Sequence, residues 1–158
     1  MNVGHFYFLK PDYFNNFPSS DFMGNHSEVD AQSHNRPYFY AFTENDNIYW
    51  LIPISSKVAK FERVYRSKID KYGKCDTIDF CEILGHRKAV LIQNMLPITK
   101  DYILNEYLDT DNHAVQISDK TRKRIISRAK KILALQRRGY ELIFGDVLEI
   151  EKHLLAHS

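Results

Sequence analysis

The sequence predicts an α+β fold: a compact, strongly bent antiparallel sheet or partial β-barrel with flanking helices and a long basic helix in the C-terminal third. Three patterns predict it. Short aromatic and β-branched runs alternate with turn residues through the first hundred positions, which is the signature of strands. Apolar residues then recur at helical spacing over 120–138, among nine lysines and arginines and no acid. Finally, the chain has 158 residues, 44% of them hydrophobic, which suits one domain around one core spanning 1–158.

The run HFYFL at 5–9 reads as a strand. Pro11 then opens a helical turn, since its fixed φ suits the first helical position. Residues 18–35 are polar and turn-rich, a long loop of the kind that often carries function. The runs PYFYAF (37–42) and IYWLIPI (48–54) flank Glu44-Asn45-Asp46-Asn47, which predicts a hairpin. Pro53 lacks an N–H, so the second strand is expected to stop or lie at an edge there. Ser55-Ser56-Lys57 follows at the strand exit, where side chains can face a ligand.

Residues 58–72 carry apolar side chains at loose helical spacing and predict a helix or an irregular excursion. Stretches 78–84 and 89–98 read as a strand pair joined through Gly85-His86-Arg87. Ser118 is a plausible N-cap for the helix over 120–138, with Ile125, Ala129, Ile132 and Leu133 on one face and Gly139 at its end. A last helix is expected over 146–155.

Net charge is only +2, so the total does not point to nucleic acid. The clustering of charge over 120–138 does, as either a footprint for phosphate or a solvated helix face. Ten Tyr, ten Phe and one Trp supply core and, in part, surfaces on which bases can stack. Cys75 and Cys81 form no paired CxxC pattern, which argues against a zinc site or a disulfide scaffold. No metal and no cofactor are expected. No signal segment and no run near the roughly 20 apolar residues of a membrane span is visible, so a cytoplasmic protein is expected.

Three segments in order resemble the endoribonuclease toxins of type III toxin–antitoxin systems, the ToxN, AbiQ and CptN group, with CptN closest. They are Phe6-Tyr7 with Tyr13; Arg36-Pro37-Tyr38 with YWLIPISSKVAK over 49–60; and AVLIQNMLPI over 89–98. The resemblance implies a barrel-like fold related to MazF and Kid, and metal-independent cleavage of cellular RNA. The implied partner is a small structured antitoxin RNA, a pseudoknot repeat, that inhibits the toxin in a closed RNA–protein assembly. No membrane or DNA partner is implied. The resemblance places catalysis on Ser55, Ser56 and Lys57. ToxN-like members have one residue between the hydroxyl pair and the lysine, whereas Lys57 follows Ser56 directly, so Lys60 is the second candidate.

Such a reaction uses the 2′-hydroxyl of the RNA as nucleophile and leaves a 2′,3′-cyclic phosphate and a 5′-hydroxyl. A lysine ammonium is a point charge for phosphate, and serine hydroxyls can bond its oxygens. A discrete base is not evident; His86 and Tyr38 are further catalytic candidates. Tyr7, Tyr13, Arg36 and Tyr38 are candidates for RNA binding, as are Lys120, Arg122, Lys123, Arg124, Arg128 and Lys131 as a group. Without the resemblance, the favoured reading of the serines is a strand terminator or helix cap, and Tyr7 and Tyr13 are core or lid aromatics. The competing readings are a non-catalytic RNA-binding module and a protein–protein adaptor.

Overall fold

The computed structural model describes residues 1–19, 21–24, 26–27 and 34–157. The loop expected over 18–35 lies partly outside these residues. Strand β1 (Phe6–Leu9) leads into helix α1 (Asp12–Asn16), and the short β2 (His26–Ser27) pairs with β3 (His34–Asn35). Then come β4 (Tyr38–Glu44), β5 (Ile48–Ser55), α2 (Val58–Tyr72), β6 (Asp79–Ile83), β7 (His86–Val90), β8 (Leu96–Ile98) and β9 (Ile103–Glu106). Helices α3 (Asp119–Arg137) and α4 (Val147–Ala156) complete the chain.

Seven strands form one open antiparallel sheet in the order β6-β7-β5-β4-β1-β9, with β8 also paired to β5. This is the expected bent sheet, not closed into a barrel. The hairpin β4–β5 turns at Asn45 and Asp46, both in the left-handed region that Asn and Asp tolerate well. The register shifts between Tyr40 and Phe42, a bulge that increases local twist.

Every residue of β5 is buried, because both its faces are covered. Here the structure corrects the reading of Pro53. The strand neither stops at Pro53 nor runs along an edge. Tyr49 to Leu51 pair with β8, Ile54 and Ser55 pair with β7, and Pro53 sits between the two ladders. The missing N–H falls where no ladder bond is required, and the Pro53 carbonyl still accepts from the Leu91 N–H at 3.1 Å. The single strand expected over 89–98 is likewise two strands. A 3-10 turn at Ile92–Asn94 breaks it, so that β7 and β8 dock on successive parts of β5.

The main core lies between the sheet and α3 and α4, around Trp50, Phe6, Phe39 and Tyr38. Ile125, Ala129, Ile132 and Leu133 form the buried face of α3, as their spacing predicts. The Ser118 side chain caps that helix by accepting from the Thr121 N–H. Helix α2 covers the other side of β7, where Phe61, Ile78, Ala89 and Leu91 form a second cluster.

The β6–β7 hairpin turns on Leu84 and Gly85, at φ 51° and 82°. Glycine reaches this region freely, but leucine pays about 1 kcal/mol or more for it. Leu84 is 56% exposed and contributes little burial in return. Leu84→Asn is therefore expected to stabilise the protein by about 1 kcal/mol. The check is the urea midpoint at unchanged slope; an unchanged or lower midpoint refutes it.

Candidate active site

Strand β5 delivers Ser55, Ser56 and Lys57 to one end of the sheet, where α2 begins. The two serines take different places. Ser55 is 2% exposed, and its hydroxyl accepts the Lys57 backbone N–H at 3.2 Å. It fixes the path of the chain from strand to helix. Ser56 is half-buried, and its hydroxyl accepts a hydrogen bond from Lys88 Nζ at 2.8 Å. Lys88 comes from β7, and the register explains the meeting: Ser55 opposes Ala89, so Ser56 and Lys88 are the next pair out on the opposite face.

Lys57 and Lys60 are exposed at the start of α2, and Lys60 Nζ lies 5.2 Å from the Phe61 ring centre. Among the described residues, no side chain caps the N-terminus of this 15-residue helix. Its first N–H groups and dipole add positive potential beside Ser56. Arg36 is buried at the same strand end and donates to the Ile54 carbonyl at 2.7 Å. The Ser56 hydroxyl, the Lys88 ammonium and the start of α2, which carries Lys57 and Lys60, thus share one strand end, a place suited to an anion.

His86 is exposed and begins β7, rather than lying in the turn before it. Two residues from Lys88, its side chain shares that lysine's face of the strand. The tyrosines lie deeper. Tyr13 and Tyr38 have no exposed surface; their hydroxyls donate to the Pro97 and Gly24 carbonyls, each at 2.8 Å. In this structure they offer no ring face to a base, because both are core residues. Burial holds the Tyr38 hydroxyl well above its usual range, so it stays protonated near neutral pH. Tyr7 is 5% exposed and accepts from the Asn2 N–H at 2.7 Å.

The basic helix is divided. Arg124 grips Asp79 of β6 through two hydrogen bonds of 3.1 and 2.8 Å, and Arg128 adds a third at 2.7 Å. Lys131 bonds Asp76 at 2.7 Å. Arg122 pairs with Asp119 and packs its side chain against Gly4. Lys120 and Lys123 are exposed. Half the expected RNA-binding group thus ties α3 to the sheet, a role visible only once Asp76 and Asp79 are placed beside it.

A second surface was missed by the sequence reading. Tyr72, Tyr140 and Phe144, each at least half exposed, line a cleft of about 680 Å³ with Lys68, Lys74 and Lys131. Exposed aromatic rings among lysines suit unpaired bases and their phosphates. The signal was weak because Tyr140 and Phe144 follow the periodic part of α3.

Cys75 and Cys81 are both buried and free. Burial, reinforced by Asp79, pushes the Cys81 thiol up to about 12. It should resist iodoacetamide at pH 8 in the native protein and react once denatured. Rapid native alkylation would contradict this. Among the described residues, Asp109, Asp111 and His113 could converge on a metal, but Asp109 already accepts the backbone N–H groups of the other two. No helix among the described residues is long and apolar enough to cross a membrane.

No protein-family model and no curated protein matches the sequence. Among solved structures, the fold matches AbiQ, a lactococcal anti-phage endoribonuclease belonging to the type III toxin–antitoxin system. The TM-score is 0.63 over 99% of this chain and 100% of that one, at 15% identity. The likeness is one of fold, and it spans both chains end to end.

Proposed function

We propose that this protein is an endoribonuclease toxin of a type III toxin–antitoxin system. The observation that carries the reading is the anion-suited strand exit at Ser55-Ser56-Lys57. It lies on a fold that matches an endoribonuclease of such a system along its whole length. Within that group we place it with the CptN branch, on the sequence resemblance alone.

Ser56 bonds a non-bridging oxygen of the scissile phosphate, and Ser55 holds the strand exit that aims it. Lys57, with Lys60 behind it, supplies positive charge. The 2′-oxygen attacks phosphorus, the bond to the 5′-oxygen breaks, and the products are a 2′,3′-cyclic phosphate and a 5′-hydroxyl. The chemistry asked of the protein is positioning and charge stabilisation, which requires no metal. His86, on the rim, is the candidate for proton transfer.

The same site processes the precursor of a small structured antitoxin RNA, a pseudoknot repeat that then inhibits the toxin in a closed assembly. Lys120, Arg122 and Lys123 on α3 contact its phosphates, and the Tyr72–Tyr140–Phe144 cleft takes unpaired bases. Released from that RNA in the cytoplasm, the toxin cuts cellular RNA and arrests growth or aborts phage infection.

The test is direct. Purified protein incubated with total RNA in EDTA should give cuts bearing cyclic phosphate and 5′-hydroxyl ends. Salt-sensitive binding with no cut at any protein concentration would instead favour an RNA-binding module.

A further inference from the structure

We infer that Lys88 is a catalytic residue of this site, its ammonium sharing the scissile phosphate with the Ser56 hydroxyl. The inference rests on the ribonuclease reading and goes beyond it, since neither the serine motif nor its spacing points to a residue on β7.

Charge at Lys88 is unbalanced. Several other cations of β7 and α3 are paired with carboxylates. Arg87 pairs with Glu62 at 3.1 Å, Arg124 and Arg128 with Asp79, and Lys131 with Asp76. Lys88 is half-buried, yet among the described residues no carboxylate pairs with it. Its hydrogen-bond acceptor is the neutral Ser56 hydroxyl, which leaves two of its three N–H donors available. From β6 it is faced by Cys81, whose thiol stays protonated near neutral pH and gives no compensating charge. On its own strand and face it is flanked by His86 and Val90, and the carboxylate diagonal to it on β6, Asp79, is taken by Arg124 and Arg128.

An ammonium with no carboxylate beside it and donors to spare is a ready point charge for an arriving phosphate. The position is defined by Ser56. A phosphate oxygen bonded to Ser56 Oγ lies within reach of an ammonium 2.8 Å from the same atom. The nearby N-terminus of α2, which no described side chain caps, also favours negative charge.

In the step itself, the O2′–P bond forms and the P–O5′ bond breaks. The 2′-hydroxyl proton leaves to His86 or to water, and the 5′-oxygen gains one from the same source. Lys88 keeps its protons throughout. It stabilises the extra charge on the non-bridging oxygens, which is largest in the transition state.

The test uses the full-length protein as native, K88M and K88R, with two readouts. On cleavable RNA, K88M should lower kcat by about a hundredfold or more, and K88R should recover most of that loss. On uncleavable 2′-O-methyl RNA, K88M should still bind, which shows that it is folded. The slope of log Kd against log salt should shrink by about 0.7, the loss of one single-strand phosphate contact. The inference is overturned if K88M cleaves within a few-fold of native. It is also overturned if K88M and K88R are equally inactive while the salt slope is unchanged, because the lysine would then act only on the protein. If native protein itself fails to cleave, the ribonuclease reading falls and takes this inference with it.

Discussion

Replacing Ser56 with alanine is expected to reduce RNA cleavage by about a hundredfold to a thousandfold while leaving the fold intact. The magnitude is that of removing one donor aimed at developing negative charge in a preorganised site. The fold should survive because the Ser56 hydroxyl is half-buried and its partner is a lysine that can turn to water. Stability should change by less than about 1 kcal/mol. Ser55→Ala should behave differently. The Ser55 hydroxyl is enclosed and holds the Lys57 N–H, so its loss should cost about 1 kcal/mol of stability and reach cleavage only through a looser strand exit. Rates, melting curves and end mapping on both variants separate the two roles. Lys152→Met, on the exposed face of α4, is the control and should match native activity. Full activity of Ser56→Ala would remove the site from this strand exit altogether.

Asp79→Ala is expected to be the most damaging single change to stability on the sheet edge. The carboxylate is 5% exposed and accepts two hydrogen bonds from Arg124, one from Arg128 and one from the Phe80 N–H. Removing it leaves two neighbouring guanidiniums of α3 without the carboxylate that ties them to β6. Breaking a buried pair costs about 3–5 kcal/mol, and the low end applies because both arginines are about a third exposed and can rehydrate. A loss of about 3 kcal/mol lowers Tm by on the order of 10 °C for a chain of this size. Calorimetry on Asp79→Ala and Asp79→Asn measures it, with the amide expected to recover part of the loss through its acceptor oxygen. A loss below about 1 kcal/mol would mean that the arginines find other partners.

The neighbouring Asp76 extends the same seam with a defined pH dependence. The hydrogen bond from Lys131 holds its carboxyl below the usual value. A carboxyl lowered on folding stabilises the protein above its unfolded value, near pH 4, and that contribution is lost as pH falls through the lowered value. Acid below about pH 4 should therefore loosen the contact between α3 and the segment before β6.

Local patterns in the sequence were enough for most elements. The hairpin over 37–54 follows from aromatic runs flanking a turn of Asn and Asp. Helix α3 follows from its Ser118 cap and its four-residue apolar face. Helix α2 was less legible, because one buried residue, Phe61, anchors its otherwise half-exposed apolar side chains. Pro53 was misread because proline normally ends a ladder, and nothing local indicates that two different strands meet β5 on either side of it. The division of 89–98 into β7 and β8 was hidden for the same reason.

By itself, then, the sequence determined the α+β class, the strand exit bearing Ser55-Ser56-Lys57 and the basic character of α3. These depend on neighbours a few residues apart, where periodicity and turn chemistry act. Only the tertiary structure decided which lysine stands beside the serine and which arginines remain open to a partner. Lys88 reaches Ser56 from 32 positions away because β7 pairs antiparallel with β5 in one register. Arg124 and Arg128 turn inward because the pairing of β6 with β7 presents Asp79, 45 and 49 positions away. Strand register is set by burial of whole faces across the sheet, and no short stretch of the chain carries that information.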